Sequence, residues 1–188
     1  VFGTLLRRGA TLPEAPTLLP AVAARWEAAW GPDMVAAASH AIAAPPPLDL
    51  SLKNAADTAA WAERLGGVSL APSHVRVADA APVTELPGYA EGDWWVQDLA
   101  ATIPARLLAD AGPTVLDLCA APGGKTLQLA AQGKSVTAID ISESRAARLR
   151  ENGERTGLGF DVAIADVLAF APPAPADAVL IDAPCSAT

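Results

Sequence analysis

From Pro20 to Ala29 the apolar residues Val22, Trp26 and Ala29 recur at helical spacing, between a proline suited to a first helical turn and a stop at Gly31. A second helix is predicted to begin near Pro32-Asp33, with Met34, Val35, Ala38 and Ile42 on one side. The triple proline Pro45-Pro46-Pro47 ends it. The period then changes: Leu48, Leu50 and Leu52 alternate with Asp49, Ser51 and Lys53, which predicts a half-buried strand. Asp57 to Leu65 reads as a helix. Strand-like pieces follow at Val75-Arg76-Val77 and Trp94-Trp95-Val96, around a turn-rich stretch from Leu86 to Asp93.

A helix kinked at Pro104 is expected from Asp98 to Asp110, and beyond it strands and helices alternate. Thr114–Cys119, Ser135–Asp140, Phe160–Ala165 and Ala178–Asp182 read as buried strands. Lys125–Ala131 and a helix capped by Ser142 and running to about Arg155 lie between them. Such alternation predicts an α/β fold with a parallel sheet covered on both faces. The expected organisation is a helical segment over 1–44, a small α+β module over 45–96, and over 97–188 the first half of a Rossmann-like domain with about four parallel strands.

Composition narrows the function. With 52% hydrophobic residues in 188 the chain can bury a core, and its apolar runs break well before the roughly 18 residues of a membrane span. No membrane association and no leader are expected. The two cysteines, Cys119 and Cys185, have neither the spacing of a disulfide framework nor that of a zinc site. A reducing, cytoplasmic setting without a metal is expected. A net charge of −8 runs against the basic excess of proteins that hold nucleic acid mainly through phosphates, so any RNA contact must use a local groove.

Two segments carry chemistry. Val115 to Thr126 takes a strand into the small-residue loop Cys119-Ala120-Ala121-Pro122-Gly123-Gly124-Lys125, where backbone N–H groups and a helix start can approach a ligand closely. A P-loop would need glycine at Cys119, and a G-x-G-x-x-G fingerprint cannot be placed on the loop. A tight turn without a ligand is the bland alternative. Against it, successive strands end in acids (Asp140, Asp166 and Asp182) on the edge where doubly wound sheets bind ligands, and Asp140 stands where ribose-binding acids sit. The second segment, Val179 to Thr188, delivers Asp182 and Cys185 to that edge.

These segments, LDLCAAPGGKT, AID and DAPCSAT, together with PVTELPG and WVQD, resemble the motifs of RsmB/Sun (Fmu)-type 16S rRNA (cytosine-5) methyltransferases, over about Leu12 to Thr188. The resemblance implies a Rossmann-like S-adenosylmethionine-dependent methyltransferase fold behind an RRM-like, RNA-facing module. It implies S-adenosyl-L-methionine as cofactor and rRNA as partner, with a monomer expected. Cys119 to Lys125 would hold the methionine part, Asp140 the ribose and Asp166 the adenine amino group. Asp182 would lie near the cofactor's amino end and the target base. Cys185 would be the family's Pro-Cys thiol, which assists product release, while a later Thr-Cys motif adds to C6. That motif is not in the 188 residues, so the chain alone is expected to be inactive. Cys119 itself reads as a small packing residue beside the loop. Three departures stand out: the first strand of the module, where the family usually has an arginine, reads Leu50-Ser51-Leu52, which implies that an RNA contact is lost or moved; Gly153 weakens its helix; and Pro104 is unusual. Two rival readings remain. An amino-group methyltransferase would place Asp/Asn-Pro-Pro-aromatic at Asp182–Cys185, and a non-catalytic RNA-binding or assembly protein would keep the loop as scaffold.

Overall fold

The computed structural model describes residues 16–43, 46–78 and 82–183. The described residues divide into two compact units, one up to Pro46 and one from Pro47 onward. In the first, α1 (Pro20–Trp30) and α2 (Pro32–Ala43) each start at a proline, whose fixed φ suits a first turn. They pack on each other, and Trp26 meets Trp30 edge-on along α1, centroids 5.6 Å apart. No helix among the described residues is long and apolar enough to cross a membrane.

The second unit holds two sheets. The first is antiparallel, in the order β2 (Val68–Ala71), β3 (His74–Val77), β1 (Leu48–Leu52), β4 (Trp94–Val96), with α3 (Thr58–Arg64) on one face. Leu50 and Leu52 enter a core with Trp61, Val75, Val77 and Trp94. The opposite face of β1, expected to be exposed, is buried as well: Asp49 is 4% and Ser51 3% accessible. The cause is α4 (Leu99–Arg106), which packs on β1 and whose first amide, Leu99 N, donates to Asp49 Oδ2 at 3.0 Å. Asp49 also takes two bonds from Arg76, at 2.6 and 2.7 Å.

Two elements differ from expectation. Strand β2 is not among the expected strands: it is a four-residue, mostly exposed edge strand, too short for its apolar pattern to stand out. Helix α4 stops at Arg106, well short of Asp110, and residues 107–110 turn towards Pro113. Asp98 caps it, accepting from Ala100 N at 2.8 Å.

The second sheet is parallel throughout, in the order β7 (Asp161–Ile164), β6 (Ser135–Asp140), β5 (Thr114–Leu118), β8 (Ala178–Ile181). Helices α5 (Gly124–Ala131) and α6 (Glu143–Thr156) connect β5 to β6 and β6 to β7. Val115, Val136, Leu129 and Leu180 form one core cluster, and Ala120, Ala138 and Leu149 another. The two sheets are tied within the unit by polar contacts. Arg155 Nη1 donates to the carbonyls of Tyr89 and Trp94 at 2.8 and 3.0 Å, with its guanidinium 4.3 Å from the Tyr89 ring centre. Gly92, at φ +73°, is needed at this seam: a Cβ there would run into the carbonyl of Arg155. Gly92→Ala should therefore lower the urea midpoint of unfolding, a loss of roughly 2 kcal/mol or more from overpacking plus a strained φ. An unchanged midpoint would show that the seam adjusts freely.

Candidate functional site: a cofactor loop at the carboxyl edge of the parallel sheet

The loop after β5 is shaped by its own backbone. Cys119 adopts φ +64°, in the left-handed region, which turns the chain sharply off the strand at a cost of order 1 kcal/mol. Ala120 N then donates to Ile139 O of β6 at 3.0 Å, and Ala121 N donates to Asp140 Oδ2 at 3.2 Å. Gly123, at φ +109°, starts α5, and a Cβ on it would collide with Leu149. A side chain on Gly124 would stand 3.5 Å from the Gln97 side chain and narrow the gap between them. The glycine pair thus answers to two demands, packing behind the loop and space in front of it.

In front of the loop lies a cavity of about 220 Å³ lined by Asp117, Cys119, Ala120, Ala121, Pro122, Gly124, Lys125 and Asp182, with Val96, Gln97, Asp98 and Ala101 opposite. Lys125 Nζ reaches across to Asp182 Oδ2 at 2.6 Å, so the loop and the end of β8 converge. The Asp182 side chain is 57% accessible, and an ion pair this exposed is worth only about 0–1 kcal/mol. Both groups can therefore exchange partners with a ligand at small cost. Below them Asp117 is buried and accepts from Thr126 Oγ1 at 2.5 Å. Burial raises its carboxyl to about 6, against the lowering effect of Thr126 and Lys125.

The predicted site residues divide. The loop residues Cys119, Ala120, Ala121, Pro122, Gly124 and Lys125 line the cavity with Asp182, while Gly123 packs behind them. Asp140 lies behind the loop too: it is 1% accessible and accepts from Ala121 N, from Ser142 N at 2.8 Å and from Arg145 Nη2 at 2.8 Å. Asp166 stands two residues past the end of β7, exposed, capping its own turn by accepting from Leu168 N at 2.9 Å. Cys185 lies outside the described residues. Two lining residues, Gln97 and Asp117, were not singled out as site residues, although both stand in segments quoted as motifs. Gln97 Nε2 donates to Gln128 Oε1 at 3.1 Å, its Oε1 accepts from Trp95 Nε1 at 2.9 Å, and Gln128 Nε2 donates to Thr102 O at 3.0 Å. This chain of buried amides fixes the cavity wall opposite the loop.

The cavity combines close backbone, one ammonium (Lys125) and three carboxyl groups (Asp98, Asp117 and Asp182), a set that complements an amino-acid zwitterion. Comparison with known proteins agrees with that chemistry. The family model described as 16S rRNA methyltransferase RsmB/F matches residues 105–188. Ribosomal RNA small subunit methyltransferase B of Cronobacter sakazakii is 43% identical over 123 residues, covering 62% of this chain and 29% of that protein. The chain thus matches under a third of the length of such relatives. Among solved structures, a methyltransferase homolog from Pyrococcus horikoshii aligns with TM-score 0.67 at 23% identity, covering 88% of this chain and 56% of that one. NSun6 from the same organism, solved with SFG, aligns with TM-score 0.50 at 29% identity, covering 61% of this chain and 30% of that one. The fold is the Rossmann-like fold of S-adenosylmethionine-dependent methyltransferases, and the stretch from residue 105 to residue 188 is similar to the RsmB/F methyltransferases.

Proposed function

We propose that this chain carries the cofactor site of an S-adenosylmethionine-dependent RNA (cytosine-5) methyltransferase acting on small-subunit 16S rRNA. The observation that carries the proposal is the convergence of Lys125 and Asp182 on one cavity beside the open backbone of 119–124. In this reading Lys125 takes the carboxylate of the methionine part and Asp182 its ammonium. Each ion of the existing pair is then replaced by a ligand group of the same sign. The bound cofactor supplies a methyl group on a sulfonium.

Asp140 serves the ribose in this reading, and its present bonds state what that requires. Arg145, whose side chain is 46% accessible, must swing into solvent so that the carboxylate can accept from the sugar hydroxyls. Asp140→Ala should weaken cofactor binding by about 1–3 kcal/mol in calorimetry, while Arg145→Ala should leave it unchanged or tighter. Unchanged affinity in Asp140→Ala would remove that residue from the site. Asp166, on the exposed turn after β7, is assigned to the adenine amino group.

Methyl transfer to C5 of cytosine needs a thiolate added to C6, because C5 is otherwise a poor nucleophile. The proposal gives the attack to a thiol supplied outside these 188 residues, and Cys185 the task of assisting release. These 188 residues alone should then form no adduct. In the complete gene product, Cys185→Ser should accumulate a covalent protein–RNA adduct on denaturing gels. If that variant gives no adduct even with 5-fluorocytosine RNA, which blocks the final elimination, Cys185 is the nucleophile. The activity itself is tested by nucleoside mass spectrometry on 16S rRNA after incubation with the complete protein and S-adenosylmethionine. 5-Methylcytidine is expected, and a methyl group on any other nucleoside would overturn the assignment.

A further inference from the structure

The buried polar face of β1 leads to a second pocket, of about 310 Å³, on the seam where the antiparallel sheet meets α4 and α5. Ser51, Lys53, Trp95, Arg106, Gln128 and Gln132 line it. Ser51 is 3% accessible and its Oγ has no hydrogen-bond partner. His74 pairs with it across the strands and is fully buried; its Nδ1 also lacks a partner, while its Nε2 lies 3.2 Å from Asp49 Oδ2. A buried polar group without a partner is rare in a folded protein because it has lost its hydration for nothing. Of the two, Ser51 lines the pocket, and a buried hydroxyl without a partner at its base points to a polar ligand.

The charge of the rim says which. Lys53 Nζ donates to the carbonyl of Thr156 at 2.5 Å. Arg106 donates from Nη2 to the carbonyl of Pro72 at 2.8 Å and from Nε to Thr102 Oγ1 at 2.9 Å. Neither cation pairs with a carboxylate among the described residues. The acid on that face, Asp49, is engaged by Arg76. In a chain of net charge −8, two cations held by neutral acceptors beside an orphaned hydroxyl form a local anion site. The Trp95 ring is held by its bond to Gln97 and offers a flat apolar wall next to it.

We propose that this seam pocket binds a phosphate group of the RNA strand, with Lys53 and Arg106 as its cationic rim and the Ser51 hydroxyl as a donor at its base. The inference rests on the RNA reading of the cofactor site and extends it. Gln128 joins the two cavities, since it lines the seam pocket and bonds to Gln97 in the wall of the cofactor cavity. A strand held at the seam is thereby set at a fixed reach from the methyl-transfer site.

The test is fluorescence anisotropy of the 188-residue chain with a labelled single-stranded RNA oligonucleotide over a series of salt concentrations, with a melting curve for every variant. Lys53→Gln and Arg106→Gln should each weaken binding about fivefold and lower the slope of log affinity against log salt by about 0.7, the loss of one phosphate contact on a single strand. Ser51→Ala should weaken RNA binding while its melting temperature stays level or rises, because a buried orphan hydroxyl has been removed; a merely structural role for Ser51 would lower the melting temperature instead. Affinity for S-adenosylhomocysteine should not change in any of the three. If the wild-type chain binds RNA and the three variants bind it equally well with an equal slope, the phosphate site is overturned and the RNA reading survives. If the wild-type chain binds no RNA, both fall together. If millimolar inorganic phosphate raises the melting temperature of the wild type alone, but RNA affinity is the same in all four proteins, the pocket takes free phosphate and the RNA assignment is wrong.

Discussion

Replacing Asp117 with asparagine should make the protein more stable above about pH 6, and the gain should vanish in acid. Burial raises the Asp117 carboxyl from 3.8 to about 6, so between those values the folded state holds a proton that the unfolded state has lost. Stability must then fall as pH rises through that window and level off above it. A displacement of this size corresponds to roughly 3 kcal/mol. Asparagine can still accept from Thr126 Oγ1 and has no charge to bury. Urea unfolding of wild type and Asp117→Asn over a pH series should give curves that coincide near the ordinary carboxylate range and part by up to about 3 kcal/mol at neutral pH. Parallel curves would mean that Asp117 ionises normally. On the expected outcome the protein keeps a costly buried carboxylate for the sake of its position: it sits beneath Lys125 in the wall of the cofactor cavity, where a negative group favours a cationic ligand.

The second large effect is expected at Asp49, which joins three elements. Its carboxylate takes both donors of Arg76, lies against His74 and caps the first amide of α4. Asp49→Ala would leave Arg76 and the buried His74 without their acceptor and uncap Leu99 N. Breaking a buried pair from one side usually costs about 3–5 kcal/mol. Arg76 is a third exposed and can turn to water, which reduces the expected loss to about 2–4 kcal/mol. The Arg76 guanidinium holds the Asp49 carboxyl far below the ordinary carboxylate range, so this contribution is present at neutral pH and is lost only as pH falls well below 3.8. Denaturation by urea near neutrality should show the difference in full, with faster hydrogen exchange at Leu99. A midpoint equal to wild type would contradict the role given to the Asp49 bonds.

The parallel half of the fold was legible because its strands are continuous apolar runs ended by turn residues. Ser142 caps α6, its Oγ accepting from Arg145 N, as the serine before that helix predicts. Strand β2 was not legible: Val68-Ser69-Leu70-Ala71 is an exposed edge strand, and its identity comes from pairing with β3. Nor could the period-two pattern of β1 reveal that Asp49 and Ser51 are covered, since α4 arrives from fifty residues along the chain. In the site, the loop was readable from its run of small residues. The roles of Gln97 and Asp117 were not, because Gln97 meets Gln128 and Asp117 meets Thr126 only after folding. Asp140 shows the same limit from the other side. Its place after β6 suggests a ligand-facing acid, yet Arg145, one helical turn on, covers the carboxylate.

The central claim is that the backbone from Cys119 to Lys125 is the cofactor site, and amide NMR during a titration with S-adenosylhomocysteine tests it most directly. The amides of Ala120, Ala121, Gly124 and Lys125 should shift saturably, together with Asp182 at the end of β8 and the side-chain amide of Gln97. Saturable shifts confined to residues outside this cavity, or none at any concentration of the ligand, would contradict it.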